Sequence, residues 1–125
     1  MPAMNPVELD QLFGEALNSG NLEGLVALYE SDASFNPEPG QEVHGKEAIR
    51  RALEGFLAMN PSITLNTKVL AQTADVALCT ADWHLTGTGP DGPLELNGQS
   101  VEVARKQPDG SWLFIIDNPF GLGWE

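Results

Sequence analysis

The sequence predicts an α+β fold with its helices first and a paired sheet second. Two observations carry this: apolar residues recur at helical spacing as far as Met59, and from Ile63 onward the period drops to two. Turn signals at Thr73-Ala74-Asp75, in GTGPDGP and in QPDG then divide the second half into four strands. Helices followed by an antiparallel meander place the helices on one face of the sheet.

Each element has a local reason. Asn5 caps the first helix, Pro6 fits its first position and Glu8 closes a capping box. Leu9, Leu12, Phe13, Ala16 and Leu17 share one face, and Gly20 ends the helix. Asn21 caps a second helix with Leu22, Leu25, Val26 and Tyr29 on its apolar side. Asp32 to Phe35 is a short extended piece. The stretch NPEPGQEVHG, with two prolines and a glycine, is a loop or a broken edge strand. Lys46 to Met59 is a third helix that buries Ile49, Ala52, Leu53, Phe56 and Leu57, and Asn60-Pro61 stops it. The strands run from Ile63 to Ala71, Val76 to Thr88, Leu94 to Lys106 and Ser111 to Asn118. There is no internal repeat and no low-complexity tract.

With 125 residues, of which 42% are hydrophobic and 19% charged, the chain reads as one globular domain over 1–125. Eighteen acidic residues against six basic ones leave a net charge of −12. Such a surface repels nucleic-acid phosphates and anionic membranes, so neither is an expected partner. Cys79 is the single cysteine, flanked by Leu78 and by alanines at 77 and 81, and reads as a small buried residue rather than a nucleophile. The start MPAMNPVELD has no basic-then-apolar signal, and no window reaches 18 apolar residues, so a cytoplasmic protein is expected. No HExxH or Cys/His spacing is present, and neither a metal nor a cofactor is expected.

Three pieces carry a family likeness. LNSGNLEGLVALYESDASF resembles the paired-helix opening of ketosteroid isomerase and SnoaL-like proteins, HGKEAIRRAL their third helix, and EVARKQPDGSWLFIIDNPFG their last hairpin. The chain thus resembles the nuclear transport factor 2-like superfamily over nearly its whole length. The resemblance implies a cone-shaped, strongly curved, mostly antiparallel sheet of the cystatin-like kind, with three helices on its concave face. It implies a hydrophobic cavity and a homodimer formed through the outer sheet face. In ketosteroid isomerase an Asp base works with an oxyanion hole of a tyrosine and a neutral Asp. In this resemblance the tyrosine falls on Phe13, the base on Pro37 or, with a one-residue gap, on Glu38, and the oxyanion aspartate on Glu102. Phe13 cannot donate a hydrogen bond, so steroid isomerisation by that mechanism is not expected.

The strand TADWHLTG raises the question of which sheet face looks inward. Ala77, Cys79, Ala81, Trp83 and Leu85 form one face; Val76, Leu78, Thr80, Asp82, His84 and Thr86 form the other. Apolarity alone makes the first the better core, whereas the resemblance turns the second toward the cavity. On the resemblance, the candidate catalytic set is Asp82, His84, Glu102 and Asp117, walled by Phe13, Tyr29, Phe35, Glu38, Phe56, Leu78, Thr80, Ala104 and Ile115. Carboxylates crowded in such a place cannot all ionise cheaply, and a histidine beside one would work as acid or base near neutral pH. His44 reads as an exposed residue at the start of helix three, and the NPFGLGWE tail as a possible lid. Three functional classes follow. One is an enzyme of isomerase, cyclase or hydratase type acting on a small apolar or aromatic molecule. The others are a module that holds such a ligand unchanged, and a purely structural dimerisation domain.

Overall fold

A computed structural model describes residues 2–121. Helix α1, Pro6–Ser19, begins where Asn5 accepts the Glu8 amide at 2.9 Å, and Glu8 reaches back to the amide of Met4 at 2.7 Å. It ends at Gly20, whose left-handed φ of 71° lets the next amide, Asn21, close onto Ala16. Helix α2 covers only Leu22–Val26. Tyr29, expected on its apolar side, instead opens strand β1, Tyr29–Glu38, because it pairs with Phe114 across the sheet. The NPEPGQEVHG stretch is the edge-strand alternative: β1 continues through Glu38 and turns into β2, Gln41–His44. Helix α3, Lys46–Leu57, follows and buries Ile49 and Leu53 completely.

The remaining strands are β3 (Ser62–Gln72), β4 (Val76–Gly89), β5 (Gly92–Gln99), β6 (Val101–Lys106) and β7 (Trp112–Asn118). Their order is β2-β1-β7-β6-β4-β3, with β5 also on β4; every pairing is antiparallel except β1 with β7. The expected single strand from Leu94 to Lys106 is interrupted at Ser100. Its first part pairs with the distal half of β4 and its second with the proximal half. At the switch, the Ser100 amide donates to Ala81 O at 2.8 Å, while Ser100 Oγ accepts the Ala81 amide at 3.0 Å. A side chain here replaces a ladder acceptor, which lets the sheet bend without stranding a backbone donor.

Strand β4 settles which face is the inner one. Ala77, Cys79, Ala81, Trp83 and Leu85 are buried, whereas Leu78, Asp82 and His84 are exposed. The helices cover the apolar face, so the inward turn of Asp82 and His84 implied by family resemblance is corrected. The register supplies the reason: Cys79 stands opposite Glu102, and opposed residues share a face. Glu102 therefore goes with the apolar set. Full burial of aliphatic side chains such as Leu9, Leu25 and Leu53 stabilises this arrangement by about 1.5–3 kcal/mol each.

Candidate functional site

Between α1, α3 and the inner sheet face lies a cavity of about 50 Å³. Its walls are Phe13 and Leu17 of α1, Phe35 of β1, Leu53 and Phe56 of α3, Ile63 and Leu65 of β3, and Trp83 and Leu85 of β4. The polar lining consists of Ser100, Glu102 and Asp117, and no Lys, Arg or His belongs to it. Pro119 and Phe120 line it on the C-terminal side. The Trp83 indole donates to Pro119 O at 2.6 Å, and the Phe120 ring stands edge-on to Trp83 with centroids 6.0 Å apart. The described part of the NPFGLGWE segment thus lines the cavity; residues 122–125 lie outside the described residues.

Glu102 on β6 and Asp117 on β7 are directly opposite each other and both buried. Asp117 reaches the inner face through a bulge. The ladder joins Val103 to Ile116 and then Ala104 to Phe114, which leaves Ile115 without a partner. Simple alternation, which puts Ile115 beside Asp117, fails for that reason. The fully buried Tyr29 hydroxyl donates to Asp117 Oδ2 at 2.5 Å. Ser100 Oγ donates to Glu102 Oε2 at 3.2 Å.

A third acid completes the group. Asp10 of α1 is buried, accepts from Thr67 Oγ1 at 2.8 Å and hydrogen-bonds the Glu102 carboxyl. Burial pushes Asp117 up to about 7; its bond from Tyr29 opposes the rise and the Asp10 charge adds to it. Burial likewise holds Glu102 well above the usual carboxylate range, reinforced by the charges of Asp117 and Asp10 and by its hydrogen bond to Asp10. Asp10 is also raised by burial, against hydrogen bonds from Glu102 and Thr67 that lower it. Asp10 and Glu102 together therefore keep a proton to higher pH than a lone exposed carboxyl would. Burial and Asp117 raise Tyr29 well above 10, so it remains a phenol and a donor. Cys79 is pushed up to about 12 by burial and by Glu102 and Asp10, which keeps it a thiol.

Other expected site residues lie elsewhere. Asp82 accepts from Gln99 Nε2 at 3.0 Å on the outer face, and the exposed His84 Nε2 contacts the Glu95 carboxylate there. Leu78 is exposed on that same face, and Thr80 is half-buried there, its hydroxyl donating to Ser100 O at 2.6 Å. Glu38 is exposed near the end of β1, beyond the cavity. Ala104 is buried core, not cavity lining, and Ile115 is the bulge residue. Phe13, Phe35 and Phe56 line the cavity, while Tyr29 lies behind Asp117. Asp10 was not among the expected residues. One signal pointed to it: Gly14, one turn on, is a mid-helix glycine of the kind that marks close packing. A Cβ at Gly14 would stand 3.2 Å from Leu65 Cδ1. Among the described residues, no three His, Cys, Asp or Glu side chains are arranged to hold a metal ion, and no helix is long and apolar enough to cross a membrane.

This helix-covered curved sheet, with a cavity acidic at one end, defines the nuclear transport factor 2-like, cystatin-like class of fold. A family model for the SnoaL-like domain matches residues 9–114, and the chain belongs to that family. Among solved structures it resembles an uncharacterised cystatin-like-fold protein from Caulobacter vibrioides (TM-score 0.78, 20% identity, 91% of this chain and 84% of that one). It also resembles a provisionally named scytalone dehydratase from Novosphingobium aromaticivorans (TM-score 0.78, 20% identity, 90% and 78%). A provisionally named ketosteroid isomerase from Shewanella frigidimarina is similar as well (TM-score 0.75, 20% identity, 89% and 90%). At these identities the likeness is one of fold. No curated protein matches the chain in sequence.

Proposed function

We propose that the cavity takes a small, neutral, largely apolar molecule with one carbonyl or hydroxyl group and carries out acid–base chemistry on it, of isomerase, cyclase or hydratase type. The observation that carries this reading is the opposition of Glu102 and Asp117 at the polar end of an apolar cavity. Two neighbouring carboxyls held in different protonation states are the arrangement that separates an acid from a base. Asp117, near 7, takes a proton from carbon next to the ligand's carbonyl. Glu102, kept neutral, donates a hydrogen bond to the oxygen on which charge then develops. An anionic ligand is disfavoured, since the lining has acids and no cation.

The present 50 Å³ holds only a few waters, against roughly 300 Å³ or more for an ordinary ligand site. A ligand therefore enters as Pro119 and Phe120 move aside. The test is deuterium exchange at the α-carbon of small cyclic ketones, followed by proton NMR. Exchange by the native chain that falls at least ~100-fold in Asp117→Asn supports catalysis. Saturable chemical-shift changes without exchange would favour the holding module, which the replacement of the tyrosine donor by Phe13 also favours. Neither exchange nor binding would contradict both readings.

The partner of the outer sheet face, in this reading, is a second copy of the chain. Leu78 pairs with Val103 and Val103 with Ile116, so an apolar band crosses three strands where solvent would otherwise lie.

A further inference from the structure

Ser100 sits where the chain leaves the distal half of β4 for the proximal half, and it lines the cavity beside Glu102. The two are two residues apart in extended chain, so their side chains share a side, and both are buried. Ser100 is anchored at three points. Its amide donates to Ala81 O at 2.8 Å, its carbonyl accepts from Thr80 Oγ1 at 2.6 Å, and its Oγ accepts the Ala81 amide at 3.0 Å. A hydroxyl has one proton to give. With the Ala81 amide already on the oxygen, that proton goes to Glu102 Oε2 at 3.2 Å.

We infer that Ser100 is a positioning residue that fixes which oxygen of the Glu102 carboxyl bears the proton. A backbone amide can only donate, so Ser100 Oγ is an acceptor toward Ala81 and a donor toward Glu102. Oε2, which accepts that bond, is then the carbonyl oxygen, and a neutral Glu102 is protonated on Oε1. Oε1 is the atom that donates to a ligand oxygen. Without Ser100 the two oxygens would be interchangeable. The last torsion of a glutamate is broad and two-fold, and half a turn about it would set the carbonyl oxygen against the ligand's, acceptor against acceptor. A hydrogen bond from a residue that is itself anchored removes that ambiguity. Ser100 keeps its proton throughout, and no bond to it is made or broken in the reaction.

The inference rests on the reading of Glu102 as a neutral donor, and infrared spectroscopy separates the two. At pH 6 the full-length chain should show a protonated-carboxyl C=O band that Glu102→Gln removes. A hydrogen bond to a carbonyl oxygen lowers its stretching frequency, so Ser100→Ala should move that band to higher wavenumber. Water admitted by a loosened core would lower the frequency or ionise the group, so general damage does not imitate the shift. Thr80→Val, which deletes a bond at the same place and spares the hydroxyl, should keep the native band. In ketone deuterium exchange, Ser100→Ala should lower the saturated rate roughly fivefold, the effect of one hydrogen bond, with half-saturation unchanged. A band that stays in place or moves down in Ser100→Ala, or that moves equally in Thr80→Val, would overturn the role, as would an unchanged saturated rate. The band reads the role even where the ketone chosen is not turned over. If Ser100→Ala does not fold, Ser100→Cys decides: its thiol is a weak donor, so a smaller upward shift is expected and an unmoved band would overturn the role. Absence of a native band assignable to Glu102 would overturn the neutral-donor reading and the role with it.

Discussion

The Tyr29 hydroxyl donates to Asp117 Oδ2 at 2.5 Å, joining the first residue of β1 to the end of β7 inside the core. That bond lowers the Asp117 pKa against the larger effect of burial. Tyr29→Phe should therefore raise Asp117 above its native value of about 7 and cost about 1–3 kcal/mol of stability. Carboxyl carbon NMR and urea unfolding measure the two effects. A downward shift of Asp117 would contradict the assignment of the bond.

Stability should fall as the solution becomes more basic through neutrality. Asp117 goes from an ordinary 3.8 to about 7 on folding, so the folded state binds more protons between these values. The stabilising effect is whole below the unfolded value and is lost as pH rises through 7. The loss is on the order of 4 kcal/mol at ~1.4 kcal/mol per unit. Glu23, Glu30, Glu42 and Asp109 are lowered and act in the opposite sense, but only as pH falls into the ordinary carboxylate range. Urea unfolding from pH 5 to 8 should show the decline, and Asp117→Asn should make it shallower, the remainder belonging to Glu102 and Asp10, which burial also raises. An equally steep decline in that variant would assign the effect elsewhere.

Asp82→Asn and His84→Ala should each change stability by less than ~0.5 kcal/mol, since exposed pairs contribute little. Neither should alter ketone exchange. A large loss in either would mean that the outer face takes part in the site.

These two residues also show where the sequence was legible and where it was not. Capping at Asn5, the stop at Gly20 and the period-two strands could be read because each depends on neighbours within a few residues. The inner face of β4 could be read from its own apolar alternation. The family resemblance pointed the other way, and the cross-strand register of Cys79 with Glu102 decided it. Glu102 and Asp117 were reached, yet the bulge at Ile115 was not, because an unpaired residue leaves no periodic trace. Asp10 was missed because its burial depends on contacts with Thr67 and Glu102, far away in the chain.

Gly121 follows Pro119 and Phe120, which line the cavity. Its φ is 54°, and a Cβ there would stand 2.5 Å from Gln99 O. Gly121→Ala should cost about 1–3 kcal/mol and displace Phe120 from Trp83, changing the tryptophan emission. Unchanged stability and emission would show that the segment does not depend on this turn.

Ile116→Glu should yield a monomer by light scattering where the native chain gives the mass of two copies, since Ile116 is 42% exposed in the band with Leu78 and Val103. A native chain that is monomeric at micromolar concentration would contradict pairing through this face.

The most direct test of the central claim is a carboxyl carbon NMR titration of the native chain, with Glu102 and Asp117 assigned from Glu102→Gln and Asp117→Asn. Glu102 should remain protonated well above the usual carboxylate range, and Asp117 should titrate at about 7. Ionisation of both in the ordinary carboxylate range near 4 would contradict the pairing of a neutral donor with a poised base.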